Sequence, residues 1–353
     1  TGWKFSRTSG RSGWCAGRME GKAMLPVSYS TFRERDLGEY ISRNYDIGKV
    51  MRCVFMHRGM NDSYLVETLT RKYIYRVYRS GWRDSLCDVS FEIDLLRFLH
   101  ANGVSVSIPV ATTGNEYVNE LSAPEGRRFG VLFTLAEGSA LDLNAEDICF
   151  KYGKEAAKIH AGSATFQTRH SRPHLDLEYL VDQPLQVIRA CMVHRPDDYQ
   201  LVFRVGTKLK EAIDRVGGLD WGICHGDLHG YNAHMLGDHI THFDFDLCGF
   251  GWRAYILAVF RFALEQRFQS CVDGEQQVAM KWNAFLAGYQ SVRKVQANDM
   301  TAVPFFAGVR RLWLMSLSLK FFKDLDITGP IDAEDKYFED ELEAFREMDQ
   351  TLF

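Results

Sequence analysis

Cys224-His225-Gly226-Asp227-Leu228-His229-Gly230-Tyr231-Asn232, and after it Thr241-His242-Phe243-Asp244-Phe245-Asp246-Leu247-Cys248-Gly249-Phe250-Gly251, decide how this chain is read. The first run sets His225, Asp227 and Asn232 on one short turn. The second ends an apolar, strand-like run on Asp244 and Asp246. An Asp, an Asn and a second Asp converging from two neighbouring loops form the set that metal-dependent phosphoryl transfer uses. One carboxylate takes the proton of an attacking hydroxyl. The amide oxygen and the other carboxylate hold a divalent ion against nucleotide phosphates.

The protein-kinase catalytic loop has the form His-x-Asp with an Asn five residues past the Asp. Here His225 stands two before Asp227 and Asn232 five after it, with Gly226 and His229 between them. This variant, His-Gly-Asp-x-His-x-x-Asn, followed by the stretch from His242 to Tyr255, resembles the aminoglycoside phosphotransferase and choline kinase superfamily. Within it, the type II homoserine kinase-like branch is the most similar. The resemblance spans roughly residues 45–325, with specific motifs only over 222–260. It implies an α+β, bilobal, protein-kinase-like fold with a small β-rich N-lobe and a mainly helical C-lobe. It also implies Mg2+ and ATP or GTP as phosphate donor. One departure stands out. The family carries an Asp in the helix after the second motif, where it braces the catalytic loop, and here Ile256 takes that place. A rearranged brace or reduced activity is implied.

Whole-chain properties agree with an enzyme of this kind. A length of 353 residues suffices for two lobes. With 25% charged residues and a net charge of −4, neither nucleic acid nor an anionic membrane is the expected partner. No apolar run reaches the ~20 residues of a membrane span. The eight cysteines include no Cys-x-x-Cys pair, which argues against a zinc ribbon or a redox motif. Scattered through apolar segments, they read as buried thiols of a reducing cytoplasm. Residues 1–23 carry no periodicity and read as an appended or disordered leader ahead of a native start near Met24.

Along the chain, residues 24–136 form the expected nucleotide-binding N-lobe. A helix near 37–45 precedes strands at 49–56, 64–68 and 73–79, and a helix over 90–103 ends at Gly103. A strand pair, 106–113 with 116–121, and a last strand over 128–138 lead into a hinge, where Phe133 to Ala136 would bond the base. Residues 137–353 form the expected catalytic and acceptor-binding C-lobe. Its helices are expected at 145–164, 179–194, 198–216, 253–268, 275–292 and 303–322, with an acidic surface helix over 332–349.

The residue roles follow. Asp227 is the expected proton acceptor, with positioning weighing more than basicity in a loose transition state. The resemblance gives His225 the bracing of the loop and makes His229 structural; a zinc site at their spacing lacks a third ligand. Asn232 and Asp244 are the expected metal ligands, and Asp246 either a second ligand or an orienting group. Arg76 on the third strand would pair with Glu92 and touch the α- and β-phosphates. Arg in place of the kinase lysine keeps the charge and binds phosphate bidentately. The turn 58–63 is either an ordinary hairpin turn or a phosphate-covering loop, with Gly59 permitting close approach and Asn61 and Ser63 donating.

The expected activity is transfer of the γ-phosphate to a hydroxyl of a small molecule: an aminoglycoside or other antibiotic, homoserine or an amino-alcohol-like acceptor. A cationic acceptor would need carboxylates, which Asp324, Asp326, Asp332, Glu334 and Asp335 could supply, although a solvated surface helix explains that run better. Two alternatives remain open. One is a Ser/Thr protein kinase of the stress-response type, disfavoured by the short segment between Asp244 and the next helix. The other is a non-catalytic nucleotide-binding regulator.

Overall fold

The computed structural model describes residues 25–321 and 331–353, of which 331–335 by backbone alone. The leader at 1–23, Asp324 and Asp326, and the side chains of Asp332, Glu334 and Asp335 therefore lie outside the described residues.

The N-terminal half is a sheet backed by two helices. Helix α1 (Glu34–Asn44) buries Leu37 and Ile41, one turn apart, against the sheet. Strands β1 (Val50–Arg58), β2 (Asp62–Thr68) and β3 (Lys72–Val77) run as an antiparallel meander. Helix α2 (Leu86–Ala101) follows, then β4 (Pro109–Val110), β5 (Asn119–Ala123) and β6 (Gly126–Thr134). β6 lies beside β3; its first half pairs with β5 and its second half with β4. The expected pair at 106–113 and 116–121 is thus corrected: β4 and β5 each pair with β6 and not with each other. α2 also begins earlier than its apolar periodicity suggested. Ser85 is its N-cap, with the side chain accepting from the Cys87 N–H at 3.2 Å.

The C-terminal half is mainly helical. It comprises β7 (Ser139–Ala140), α3 (Glu146–Gly162), a π-turn at Glu178–Asp182 leading into α4 (Gln183–Cys191), and α5 (Pro196–Val216). The motif region supplies β8 (Trp221–Cys224), β9 (Ala233–Leu236), β10 (His239–His242) and β11 (Gly249–Trp252), before α6 (Arg253–Phe268), α7 (Gly274–Gln290), α8 (Ala297–Phe321) and α9 (Ile331–Thr351). α8 starts well before the expected residue 303, so Pro304 lies inside it. α9 is more than a surface helix. Phe338, Leu342 and Phe345, at helical spacing, are buried, and Asp349 bonds Lys208 of α5 at 2.7 Å.

Two small ribbons position the site. β9 pairs with β10, and β8 pairs with β11. The loop 225–232 joins β8 to β9, and the loop 243–248 joins β10 to β11, so each loop bridges the same two ribbons. This topology forces the two motif loops side by side. The architecture is the expected one: a small antiparallel N-lobe sheet followed by a helical C-lobe. Among the described residues, no helix is long and apolar enough to cross a membrane.

Candidate active site

His225 is fully buried and ties the two loops together. Its ring packs on Phe245 at 4.1 Å between centroids. Nε2 lies 3.1 Å from the Phe243 carbonyl, and Nδ1 lies 3.3 Å from the Asp227 N–H. Nδ1 must accept from that N–H, so the proton sits on Nε2 and is donated to Phe243. Burial pushes the His225 imidazole down to about 4, so the ring is neutral near pH 7. Gly226 permits the close approach of the loops. Its φ is +89°, and a Cβ there would lie 2.1 Å from the Leu247 carbonyl oxygen.

Asp227 emerges from this brace between a guanidinium, an imidazole and an amide. Oδ1 pairs with Arg310 of α8, Oδ2 lies 3.3 Å from His229 Nε2, and Asn232 Nδ2 donates to Oδ2 at 3.3 Å and to the Asp227 carbonyl at 3.1 Å. Burial acts to raise this carboxyl, but Arg310 and His229 reverse the effect and hold it well below the usual carboxylate range. It is an ionised, fixed acceptor, suited to positioning a hydroxyl. The Asn232 amide nitrogen is used up inside the loop, which leaves its oxygen for a ligand.

Asp244 sits in left-handed backbone conformation, with φ of 60°, immediately before the 3-10 turn Phe245–Leu247 of the second loop. Its side chain is 46% exposed, and Arg76 Nη2 lies 3.0 Å from Oδ1. The other Arg76 nitrogen, Nη1, bonds Glu92 Oε1 at 2.8 Å, and the Tyr78 hydroxyl donates to Glu92 Oε2 at 2.9 Å. Burial raises the Asp244 carboxyl; Arg76 opposes that, and Asp246 and Asp227 add to it. A carboxylate crowded by other carboxylates favours a bound cation. Ser63, Arg76, Glu92, Asn232 and Asp244 line one cleft of about 370 Å³ that reaches the segment Phe133 to Ala136. Among the described residues, no group of three or more His, Cys, Asp or Glu could hold a metal unaided. A carboxylate and an amide oxygen fit Mg2+, which takes one or two protein oxygens and completes its shell with phosphate and water.

A family model, the phosphotransferase enzyme family APH, matches residues 57–295, which include both loops and the Arg76–Glu92 pair. The chain belongs to this family. The expected enzyme class, a small-molecule kinase with an alcohol group as acceptor, stands with that membership. An uncharacterised Synechocystis protein is 31% identical over 331 residues, covering 93% of this chain and 88% of the relative. Homoserine kinase of Agrobacterium fabrum is 26% identical, covering 78% and 82%. A solved amicoumacin kinase, in complex with AMP-PNP, Ca2+ and amicoumacin, shares the fold with a TM-score of 0.74 at 20% identity, covering 91% of this chain and 94% of that one.

Against the family pattern, two expected site residues take other duties. Both Asp246 oxygens are occupied: Arg83 Nε donates to Oδ1 at 2.8 Å, and Trp82 Nε1 and Asn61 Nδ2 donate to Oδ2 at 2.6 and 2.9 Å. Arg83 and Arg172 also donate to the Asp246 carbonyl. Of its two open roles, this surrounding suits the orienting one. Asn61, expected to donate to phosphate, is buried, with its amide nitrogen on Asp246 and its oxygen accepting from the Arg79 N–H at 3.1 Å. Gly59 closes the turn by donating to the Asn61 carbonyl. Only Ser63 of that turn's three expected residues lines the cleft.

Ile256 is buried in the core, while its neighbour Tyr255 meets Arg310, and the Tyr152 hydroxyl accepts from the Gly230 N–H at 3.1 Å. Arg310, Arg83, Trp82, Arg172 and Tyr152 went unread in the sequence. Only Trp82-Arg83 carried a local signal, a large ring and a cation in the loop between β3 and α2.

Proposed function

We propose that this protein is a Mg2+-dependent kinase that moves the γ-phosphoryl group of ATP or GTP to a hydroxyl of a small molecule. The observation carrying this reading is Arg76, which bonds Glu92 on one side and Asp244 on the other at the wall of the cleft that Asn232 shares. In this reading residues 24–136 bind nucleotide and residues 137–353 hold the catalytic loop and the acceptor. Arg76, fixed by Glu92, meets the α- and β-phosphates, and the base of the nucleotide lies along Phe133 to Ala136. Asn232 and Asp244 hold the metal, which when bound neutralises phosphate charge and fixes the geometry of the phosphates. Asp227 orients the acceptor hydroxyl and takes its proton. His225 keeps the two loops in register. The reading places the enzyme in the cytoplasm, where nucleoside triphosphate and reduced thiols coexist; Cys53, Cys87, Cys149, Cys224, Cys248 and Cys271 are free.

The test is a screen of hydroxylated metabolites for Mg2+-dependent release of ADP or GDP. Asp227→Asn is expected to lower that release by about 10³-fold while nucleotide binding persists, within the range general acid–base groups contribute. Turnover that survives the substitution removes Asp227 from its role. Labelled phosphate on protein, without any small acceptor, would favour the protein-kinase reading.

A further inference from the structure

Asp244 and Asp246 each have an arginine of their own. So has Asp227: Arg310 reaches from α8 to Oδ1, while His229 Nε2 and the Asn232 amide share Oδ2. Arg310 is 4% exposed. Its guanidinium lies over the Trp313 ring, 5.1 Å from the centroid, and Nη1 is 3.5 Å from the Tyr255 hydroxyl. These contacts use two of its five N–H groups. The base that must face a hydroxyl is therefore covered by a buried cation, and the two partners compete for one oxygen.

A guanidinium fork pairs with carboxylate or phosphate through two parallel bonds, stronger than a single-point contact. We propose that the acceptor carries a carboxylate or phosphate near its reactive hydroxyl, and that Arg310 binds this group, leaving Asp227 Oδ1 open to the hydroxyl. This inference rests on the kinase reading above and names its acceptor class. In the step itself, the hydroxyl proton passes to Asp227 and the hydroxyl oxygen bonds the γ-phosphorus. The bond from that phosphorus to the β–γ bridging oxygen breaks, and the nucleoside diphosphate leaves. An acceptor presenting an ammonium here would meet the Arg310 guanidinium as a like charge, an arrangement that selects against it.

The test uses four three-carbon alcohols that differ in one group: glycerate, glycerol 3-phosphate, glycerol and serinol. Each is titrated calorimetrically into the protein saturated with Mg2+ and AMP-PNP, so that nucleotide phosphates already fill their own subsite. The expected result is that glycerate or glycerol 3-phosphate binds at least tenfold tighter than glycerol and serinol; which of the two wins distinguishes carboxylate from phosphate. Arg310→Gln is expected to abolish the preference, and Asp227→Asn to strengthen it several-fold, because the competing carboxylate is gone. Should the glutamine variant melt early, Arg310→Lys keeps the charge but not the fork, and the Asp227→Asn arm stands alone. Equal binding of all four compounds, or a preference that survives loss of the Arg310 guanidinium, overturns the proposal. With an acceptor from the metabolite screen, Arg310→Gln should raise acceptor KM at least tenfold and leave nucleotide KM unchanged. An equal fall in kcat for every acceptor would instead place Arg310 on the transferring phosphoryl group and overturn it. Failure of the kinase reading looks different: no AMP-PNP binds and no diphosphate is released.

Discussion

The nucleotide face and the acceptor face of the site are built by opposite strategies. The nucleotide face draws on β3, α2 and the two motif loops, with Arg76 to Glu92 spanning only 16 positions. Its members sit at set offsets along neighbouring elements, and their partners are the residues a kinase-like pattern names. The acceptor face joins the catalytic loop to α8, with Arg310 standing 83 positions after Asp227 in an apolar helix that carries no motif. The difference shows where a common reaction needs common parts. In the proposed reading, triphosphate and metal are the shared part of the reaction, so their cradle follows a pattern. The acceptor varies, so its partner comes from whichever helix packs nearby.

The sharpest way to test the contrast lies within one loop, at Asp246 and Asp244. Asp246→Ala removes one member of a buried pair and strands Arg83, so the fold should lose about 3–5 kcal/mol, read as a lower denaturant midpoint. Asp244→Asn should leave that midpoint near wild type, because the side chain is half-exposed. Its expected effect is on chemistry: about a 10²-fold fall in kcat, or roughly 2.7 kcal/mol, at fixed Mg2+, with more Mg2+ needed for half-maximal rate. If Asp244→Asn unfolds as readily as Asp246→Ala, the two aspartates have been assigned the wrong way round.

Glu92→Gln probes the nucleotide face alone. It weakens the grip on Arg76 without emptying the site, and nucleotide KM should rise about tenfold, or 1.4 kcal/mol. Acceptor KM should not move; steady-state kinetics with each substrate varied in turn would show whether the faces are separable.

The smallest effect concerns the histidines behind the loops. His225 is held down to about 4 and His242 to about 3, in both cases chiefly by burial. Their folded values lie below the ordinary 6.5, so the unfolded chain takes up protons first as pH falls. Stability from these groups is complete above about pH 6.5 and drains away toward pH 4. His242 has neither ring nitrogen bonded among the described residues. His242→Leu should therefore flatten the acid limb by about one proton and add about 1 kcal/mol at neutral pH. A steeper limb in thermal melts across that range would contradict this account.

Much of the fold was legible because periodicity and turn chemistry are local. The β1–β2–β3 meander, α2, α3, α6 and both motif loops follow from alternation, helical spacing and glycine placement. The misreadings have local causes too. Residues 106–113 and 116–121 looked like a strand pair because they are neighbours, yet β4 and β5 both pair with β6. The acidic tail read as solvated because its charges outnumber Phe338, Leu342 and Phe345, which nevertheless fall on one buried face. In the site, Asn232, Asp244, Arg76 and Glu92 were named from the sequence and line one cleft, and Asp227, also named, accepts from the Asn232 amide. Asn61 was misassigned because a turn residue's side-chain direction depends on what packs against it, here Asp246 from 185 positions away.

From the sequence alone came the order of the motif, the residue types able to orient a hydroxyl and hold a divalent cation, and the succession of strands before helices. These are properties of short range: spacing, propensity and the chemistry of single side chains. Only the tertiary structure decided which aspartate faces the cleft and which is locked to Arg83, and only it set Arg310 against Asp227. Such contacts join distant segments, where packing geometry and the low dielectric of the interior select partners that no local pattern encodes.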